Sequence, residues 1–338
     1  MTDSVAISPH DPAAPPRHDA DDTSRNRLVI GILVVSTFVV VLNETVMSVA
    51  LPTLMVDLGI TAATAQWLTT GFLLTMAVVI PVTGYLMQRF HTRPIYLLAM
   101  SLFTAGTLLA ALAPGFGVLL LARVVQASGT AIMIPLLMTT AMSLVPAHSR
   151  GRTMGTISVV IAVAPAIGPT ISGLVLSVLS WRFMFVVVLP VAVVALVVGA
   201  KKMVDVTTPR EVDLDVPSVV LSALGFGGLV YGLSALGEGA SEGQAVDPAL
   251  PAGVGVVALV LFVLRQVRLA RTGSPLLDLR TFATKNFTFS IVLIALASLV
   301  ELLRALRRQP PVVASASVVD VPDQRAAATR SSLEGAGS

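Results

Sequence analysis

The residues able to do chemistry in this chain stand where they are most expensive to keep. Asn43 and Glu44 lie inside the apolar stretch FVVVLNETVMSVALP, from Phe38 to Pro52, and Arg123 and Gln126 lie inside LLLARVVQASGTAIMIP. A charged group in hydrocarbon usually faces a bundle interior or a water-filled cavity and marks a route for ions or substrates. A carboxyl can take up and release a proton, while a guanidinium keeps its charge and so influences when that happens. The chemistry expected is proton binding and charge compensation. No nucleophile–base cluster, phosphate loop or metal-ligand spacing appears, so neither an enzyme nor a bound cofactor is expected. There is no cysteine, which excludes disulfides and thiolate chemistry. His10, His18, His91 and His148 are scattered in polar segments, so no metal site is expected.

Elements that could hold such residues follow from composition. Of 338 residues, 55% are hydrophobic and only 12% charged, against about 25% charged in a soluble domain. The expected class is an all-α membrane protein. Spans of about 20 apolar residues are predicted at Leu28–Leu51, Ala63–Leu86, Pro94–Ala113, Val118–Met142, Met154–Leu179, Phe183–Gly199, Val216–Ala235 and Leu250–Val267, with a weaker ninth at Phe287–Leu303. Residues 1–27, rich in Asp, Pro, Ser and His, read as a disordered tail without the features of a secretory signal peptide.

Basic residues sort the loops into two sets. Arg25, Arg27, Arg89, Arg93, Arg150, Arg152, Lys201, Lys202, Arg210, Arg265, Arg268, Arg271, Arg280 and Lys285 fall on one side, with Arg182 the exception on the other, beside Asp57, Glu238, Glu242 and Asp247. The positive-inside rule then places the N-terminus in the cytoplasm. The net charge of +3 reports orientation, and no nucleic-acid partner is expected.

Orientation makes depths comparable. Glu44 lies eight residues before Pro52 at the outer end of span one, and Arg123 six residues into span four, which runs inward from Gly117. At 1.5 Å per residue both sit roughly 10 Å below the outer face. They could pair or share water in a central cavity; the alternative is a static ion pair that fixes helix packing. Arg123, Gln126 and Gly129 drift slowly around their helix, which suits a cavity wall and equally a helix–helix contact. Span five contains VAPAIGPTISGLV, with Pro165, Gly168, Pro169 and Gly173. Proline bends a helix and glycine admits a neighbouring backbone, so this helix is expected to bend at a moving or sealing interface, or simply to pack closely.

Five segments, taken together, resemble the major facilitator superfamily, in its fourteen-span drug:proton antiporter branch that includes the EmrB/QacA and LmrB-type efflux pumps. They are LNETVMSVALP in span one, the loop GYLMQRFHTRPIY, ARVVQASGTA in span four, APAIGPTISG in span five, and Trp181, Arg182 and Pro190 at span six. The resemblance covers roughly Leu28 to Ala297 and implies a six-helix N-terminal half (28–199) followed by two linker spans (200–285). It implies efflux of hydrophobic or cationic small molecules across the cytoplasmic membrane in exchange for protons. Glu44 and Arg123 would couple to the proton; Asn43, Gln126 and Met47 would line the substrate cavity. Gly84, Arg89 and Arg93 would belong to a gating loop, and Pro165, Gly168, Pro169 and Gly173 to the helix-five bend. For Arg89 and Arg93, plain anchoring of topology is the competing reading. Gln88 and His91 stand where the family's loop has aspartate and glycine, Ala127 where its fourth helix has glycine, and Asn43 where its first helix commonly has an acid.

A fourteen-span transporter has a second half, and its site lies between halves. Here the text changes at Glu301 to ELLRALRRQPPVVASASVVDVPDQRAAATRSSLEGAGS, and 304–338 is expected to be a disordered tail, with the chain truncated at its C-terminus as after a shifted reading frame. Arg304, Arg307 and Arg308 would lie outside if span nine inserted, so poor insertion is expected. Two readings stand: an exporter that pairs with a second copy or a separately made C-terminal half, and a non-transporting membrane fragment. Expected partners are protons, a small-molecule substrate and the lipid bilayer.

Overall fold

The computed structural model describes residues 18–207, 209, 215–237, 247, 249–272 and 284–308. Arg210, Glu238, Glu242 and Arg280, residues 1–17 and residues 309–338 lie outside them, as do the side chains of His18, Arg271, Lys285, Arg307 and Arg308. The described residues form helices α1 (His18–Leu58), α2 (Ala62–Arg89), α3 (Thr92–Ala111), α4 (Phe116–Leu144), α5 (Arg150–Val178), α6 (Arg182–Lys202), α7 (Val216–Gly237), α8 (Ala249–Thr272) and α9 (Lys285–Arg308). A single 3₁₀ turn, Ala147–Ser149, precedes α5. Eight of these, α1 to α8, are long and apolar enough to cross a membrane. The chain is thus a multi-pass membrane protein. α9 forms a unit apart from α1–α8, and its apolar part, Phe287–Ser298, is shorter than the others.

Two expected boundaries are corrected. Residues 18–27, assigned to a tail, are the first turns of α1; residues 304–308, assigned to the second tail, are the last turns of α9. An apolar run locates the span but does not limit the helix: once nucleated, each added residue gains a hydrogen bond at little further cost. The 41 residues of α1 make a rod about 60 Å long, twice the roughly 30 Å of hydrocarbon.

Burial identifies the central helices. The most apolar windows of α1 and α4 are each 56% buried and that of α3 50%, against 17% for α5. α1 packs on α2, α4, α5 and α6; α4 also holds α2 and α3; α3 lies on α6; and α7 joins α2 to α8. Along the α2–α7 seam, the Thr70 and Ser234 hydroxyls hydrogen-bond at 3.0 Å and Trp67 packs on Tyr231.

Two apolar clusters fill the bundle. One joins Val29, Leu33 and Val40 of α1 to Met100 and Phe103 of α3 and to Ile132 and Leu137 of α4. Within it the Tyr96 hydroxyl donates to the Ala195 carbonyl at 2.8 Å and shares a 2.8 Å bond with Ser36. The other cluster joins Val46, Met47 and Leu54 to Ala110, Leu119, Trp181 and Phe185.

At that second end Asp57 accepts a 2.7 Å hydrogen bond from the indole of fully buried Trp181 and lies 3.5 Å from the Arg182 guanidinium. Arg182 also donates to the Ala113 carbonyl just beyond α3. The lone basic residue of its loop set is therefore explained by local bonding. Asp57→Ala is expected to lower stability in detergent by about 1–3 kcal/mol, the cost of stranding a buried donor. Asp57→Asn, which keeps an acceptor, should cost less; thermal unfolding of the two variants checks this.

Candidate functional site

Between the two apolar clusters runs a polar belt. The first cluster takes α1 up to Val40, α3 up to Phe103 and α4 from Ile132; the second takes α1 from Val46, α3 from Ala110 and α4 up to Ala122. The interval holds Asn43, Glu44 and Thr45 on α1, Thr104 and Thr107 on α3, and Arg123, Gln126 and Thr130 on α4. Depth matching of Glu44 and Arg123 is thus one instance of a layer that also crosses α3.

Arg123 is the centre of that layer. It is 1% exposed, donates from an NH group to the Gln126 Oε1 at 2.7 Å, and lays its guanidinium 4.0 Å from the centroid of the Phe72 ring on α2. Gln126, fully buried, donates in turn to the Thr107 hydroxyl at 2.9 Å, and Thr107 donates to the Phe103 carbonyl at 2.7 Å. An aromatic face and an oriented amide offset part of the cost of a buried cation. The helices can approach this closely because α3 and α4 meet through glycines. A Cβ on Gly106 would lie 2.6 Å from the Gln126 nitrogen, and one on Gly129 would lie 2.7 Å from the Phe103 nitrogen.

Glu44 is half-buried on α1 and acts on Arg123 electrostatically, with no N–O approach within 4.0 Å among the described residues. This is charge compensation at a distance, and a locked ion pair does not form. Asn43 beside it is 1% exposed, and neither amide atom has a hydrogen-bond partner among the described residues. The Nε of Arg123 is likewise without one.

Asn43, Gln126 and Met47, expected to line a substrate cavity, are 1%, 0% and 1% exposed here, and Met47 packs in the second apolar cluster. The reason is azimuth: Asn43 and Met47, four apart, share a helix face, while Glu44 is turned by about 100° toward Ser48, which is exposed.

α5 meets α1 at the same level. Gly168 is buried, and a Cβ there would collide with the Thr45 hydroxyl and lie 3.0 Å from the Thr45 Cβ. Ser172, one turn on, donates to the Gly168 carbonyl at 2.7 Å and reaches the Val46 carbonyl at 3.4 Å. Pro165, Pro169 and Gly173 are exposed, and Gly173 has nothing within 4 Å of an added Cβ. Of the two glycines among the four expected bend residues, Gly168 meets Thr45, the residue beside Glu44, and Gly173 does not. Gly168→Ala is expected to push α5 off α1 and cut transport, Thr45→Ala to restore part of it, and Gly173→Ala to be silent. Transport assays on the single variants and the double variant decide this.

The loop residues are placed apart from the belt. Gly84 is half-buried in α2, and Arg89 is the exposed last residue of that helix. Arg93 donates to the Ala200 carbonyl of α6 at 2.7 Å, and its backbone N–H donates to Asp205 at 3.0 Å. Its cation therefore sits at the negative end of the α6 dipole, within this half. Phe72, Thr107 and Gly106 were not singled out in the sequence, though Thr107, polar in an apolar run, gave a signal there, as Thr45 did beside Glu44.

The profile of the Major Facilitator Superfamily matches residues 33–319. The chain belongs to that superfamily. Its membership places it among transporters rather than enzymes. It is 44% identical over 266 residues to the uncharacterized MFS-type transporter YcnB of Bacillus subtilis (strain 168), covering 79% of this chain and 55% of that one. It is 43% identical over 268 residues to the lincomycin resistance protein LmrB of the same organism, with the same coverage. The chain therefore spans about half the length of these curated relatives. Among solved structures, a peptide transporter POT in complex with sulfate superimposes with a TM-score of 0.53 at 16% identity, covering 72% of this superfamily chain and 52% of the transporter. That likeness concerns the fold alone.

Proposed function

We propose that this superfamily chain carries the proton-coupling half of an exporter of hydrophobic or cationic small molecules, working by drug–proton exchange across the cytoplasmic membrane. The observation that carries the reading is the polar belt, where a half-buried carboxyl faces an enclosed guanidinium that it does not bind directly. A carboxyl clamped in an ion pair would have little freedom to change protonation, whereas one held at a distance responds to each change of access.

In the outward-open form a proton from outside joins the Glu44 carboxylate and cancels its charge. In the inward-open form the proton leaves to the cytoplasm, and the restored carboxylate is balanced by Arg123. Gln126, Thr107 and Phe72 hold the guanidinium in place through both states, so the charge that changes is the one on α1. Cargo would occupy the accessible space beside Glu44 and Ser48 in the alternate half of the cycle. The contact of Gly168 with Thr45 connects α5 to the same turn of α1, which lets movement of one helix alter the surroundings of the carboxyl.

The basic loop residues support a cytoplasmic N-terminus. Lincomycin is the first cargo to try, because a 43% identical relative is a lincomycin resistance protein. Cells expressing the chain should tolerate more lincomycin than control cells, and a protonophore should remove the difference. Unchanged tolerance in cells that demonstrably insert the chain would refute the reading.

A further inference from the structure

One face of α1 carries a polar pattern that extends beyond the belt. Ser48, Thr37 and Asn26 all lie within about 40° of the Glu44 direction around the helix. Along the axis Ser48 is about 6 Å toward the C-terminal end, while Thr37 is about 10 Å and Asn26 about 27 Å toward the N-terminal end. Accessibility of this face changes at Glu44. Toward the C-terminal end Ser48 is exposed and Leu51 and Met55 are half-buried. Toward the N-terminal end Val41 is 7% exposed, and Val40, Thr37 and Leu33 are wholly enclosed. The face is open as far as the carboxyl and closed beneath it.

Thr37 is anomalous in that seal. A helical threonine can satisfy its hydroxyl on the carbonyl one turn back, as Thr75, Thr83, Thr107 and Thr130 do at 2.7–3.1 Å. The Thr37 hydroxyl is buried and has no partner among the described residues. Thr104, in the belt, is the one other buried threonine left so among them. Such a hydroxyl usually completes its bonds with water. At the N-terminal end of the same face the Asn26 Oδ1 is likewise buried and unpartnered. Asn26 lines a pocket of about 420 Å³ with His91, Leu144, Asp205 and Thr207, and exposed His91 and Asp205 open it to the surface. The face therefore reads as carboxyl, a turn of valine at Val40 and Val41, hydroxyl, then Leu33 and Ile30, then a polar pocket.

We propose that Thr37 is the waypoint by which a proton leaves Glu44 for the cytoplasm, along water that enters this face of α1 from the Asn26 pocket when the inner side opens. The inference rests on the reading of Glu44 as the proton site. In the step the carboxyl O–H bond breaks and the proton passes to a water molecule held by the Thr37 hydroxyl. It then leaves to bulk water at the pocket, the carboxylate stays on α1, and nothing is oxidised or reduced. A hydroxyl suits the place because it accepts from one water and donates to the next without adding a charge to an apolar layer. The valines on one side of it, and Leu33 with Ile30 on the other, keep the route dry while the carboxyl is open outward. A threonine that served packing alone would turn its hydroxyl onto the Leu33 carbonyl, as the four others turn theirs.

The test uses the whole chain, which has no cysteine of its own, in everted membrane vesicles and in intact cells. Thr37→Cys should react with a membrane-impermeant maleimide in the vesicles, whose cytoplasmic face is outermost, and stay unreactive in cells. Val39→Cys should react in neither, since Val39 is buried in the first apolar cluster and turned about 160° away. Thr37→Val, nearly the same shape, should lower the maximal rate of proton-driven export about tenfold, the equivalent of one hydrogen bond lost from the path. KM and thermal stability should not change, and Thr37→Ser should keep the parent rate. No reaction of Thr37→Cys in vesicles, reaction equal to that of Val39→Cys, reaction in intact cells, or a full export rate in Thr37→Val would each overturn the proposal. Export by Glu44→Gln at the parent rate would instead remove the proton site. The labelling pair reports the water path without export, so it decides the proposal even in a chain that moves no drug.

Discussion

Replacing Glu44 with glutamine is expected to abolish uphill export while leaving the chain folded and inserted. Glutamine keeps the size and the hydrogen-bonding reach of the side chain but cannot change protonation. The side chain is only half-buried and forms no direct ion pair, so the structural cost should be small. The functional cost should be complete. One proton moving through 100 mV is worth about 2.3 kcal/mol, enough to support a roughly 50-fold concentration ratio of a neutral cargo. Without a titrating group that ratio should fall to one. Everted vesicles loaded with a fluorescent drug measure it directly, and a variant that still concentrated drug as the parent does would remove Glu44 from the cycle.

The second large effect is expected at the glycines between α3 and α4. A side chain at Gly129 meets the Ala99 carbonyl and the Phe103 nitrogen and Cβ, and one at Gly106 meets the nitrogen and Cβ of Gln126 and the Ala122 carbonyl. Most of these are backbone atoms, which cannot yield by changing rotamer. Gly129→Val should therefore force the helices apart at a cost of at least about 1–3 kcal/mol, the usual range for overpacking. Separation would also break the 2.9 Å bond from Gln126 to Thr107 and loosen the group that orients Arg123. The variant should lose both thermal stability and export, whereas Glu44→Gln should lose export alone. Gly173→Ala, in open space, provides the neutral comparison.

What could be read in the sequence was set by what a bilayer imposes. Apolar runs of about 20 residues are obligatory for a spanning helix, so each of the eight predicted spans falls on one of α1 to α8, although α1 runs from His18 to Leu58, well past both ends of its span. Depth was readable because the rise per residue is fixed; Glu44 and Arg123 do share one polar layer. Azimuth was not, because a helix may rotate about its axis until packing stops it. That is why the packing of Met47 in the second apolar cluster could not be read in advance. It is also why Gly168 and Gly173, equivalent in a motif, differ: one touches Thr45 and the other touches nothing. Phe72 gave no signal, since an aromatic residue in an apolar helix looks the same over an arginine or against lipid. Arg182, an exception to the charge pattern, became intelligible only with Asp57 and the Ala113 carbonyl beside it.

Water access along α1 is the most direct measurement of whether an acid on this helix works against an enclosed base. The chain contains no cysteine, so single replacements report without background. Cysteine at Glu44 and at Ser48 should react with a membrane-impermeant maleimide and be protected when drug is present. Cysteine at Asn43 and at Met47 should stay unreactive in the folded chain. Reaction of Glu44→Cys only with lipid-soluble reagents, or with none, would place the carboxyl away from water and contradict a proton site there.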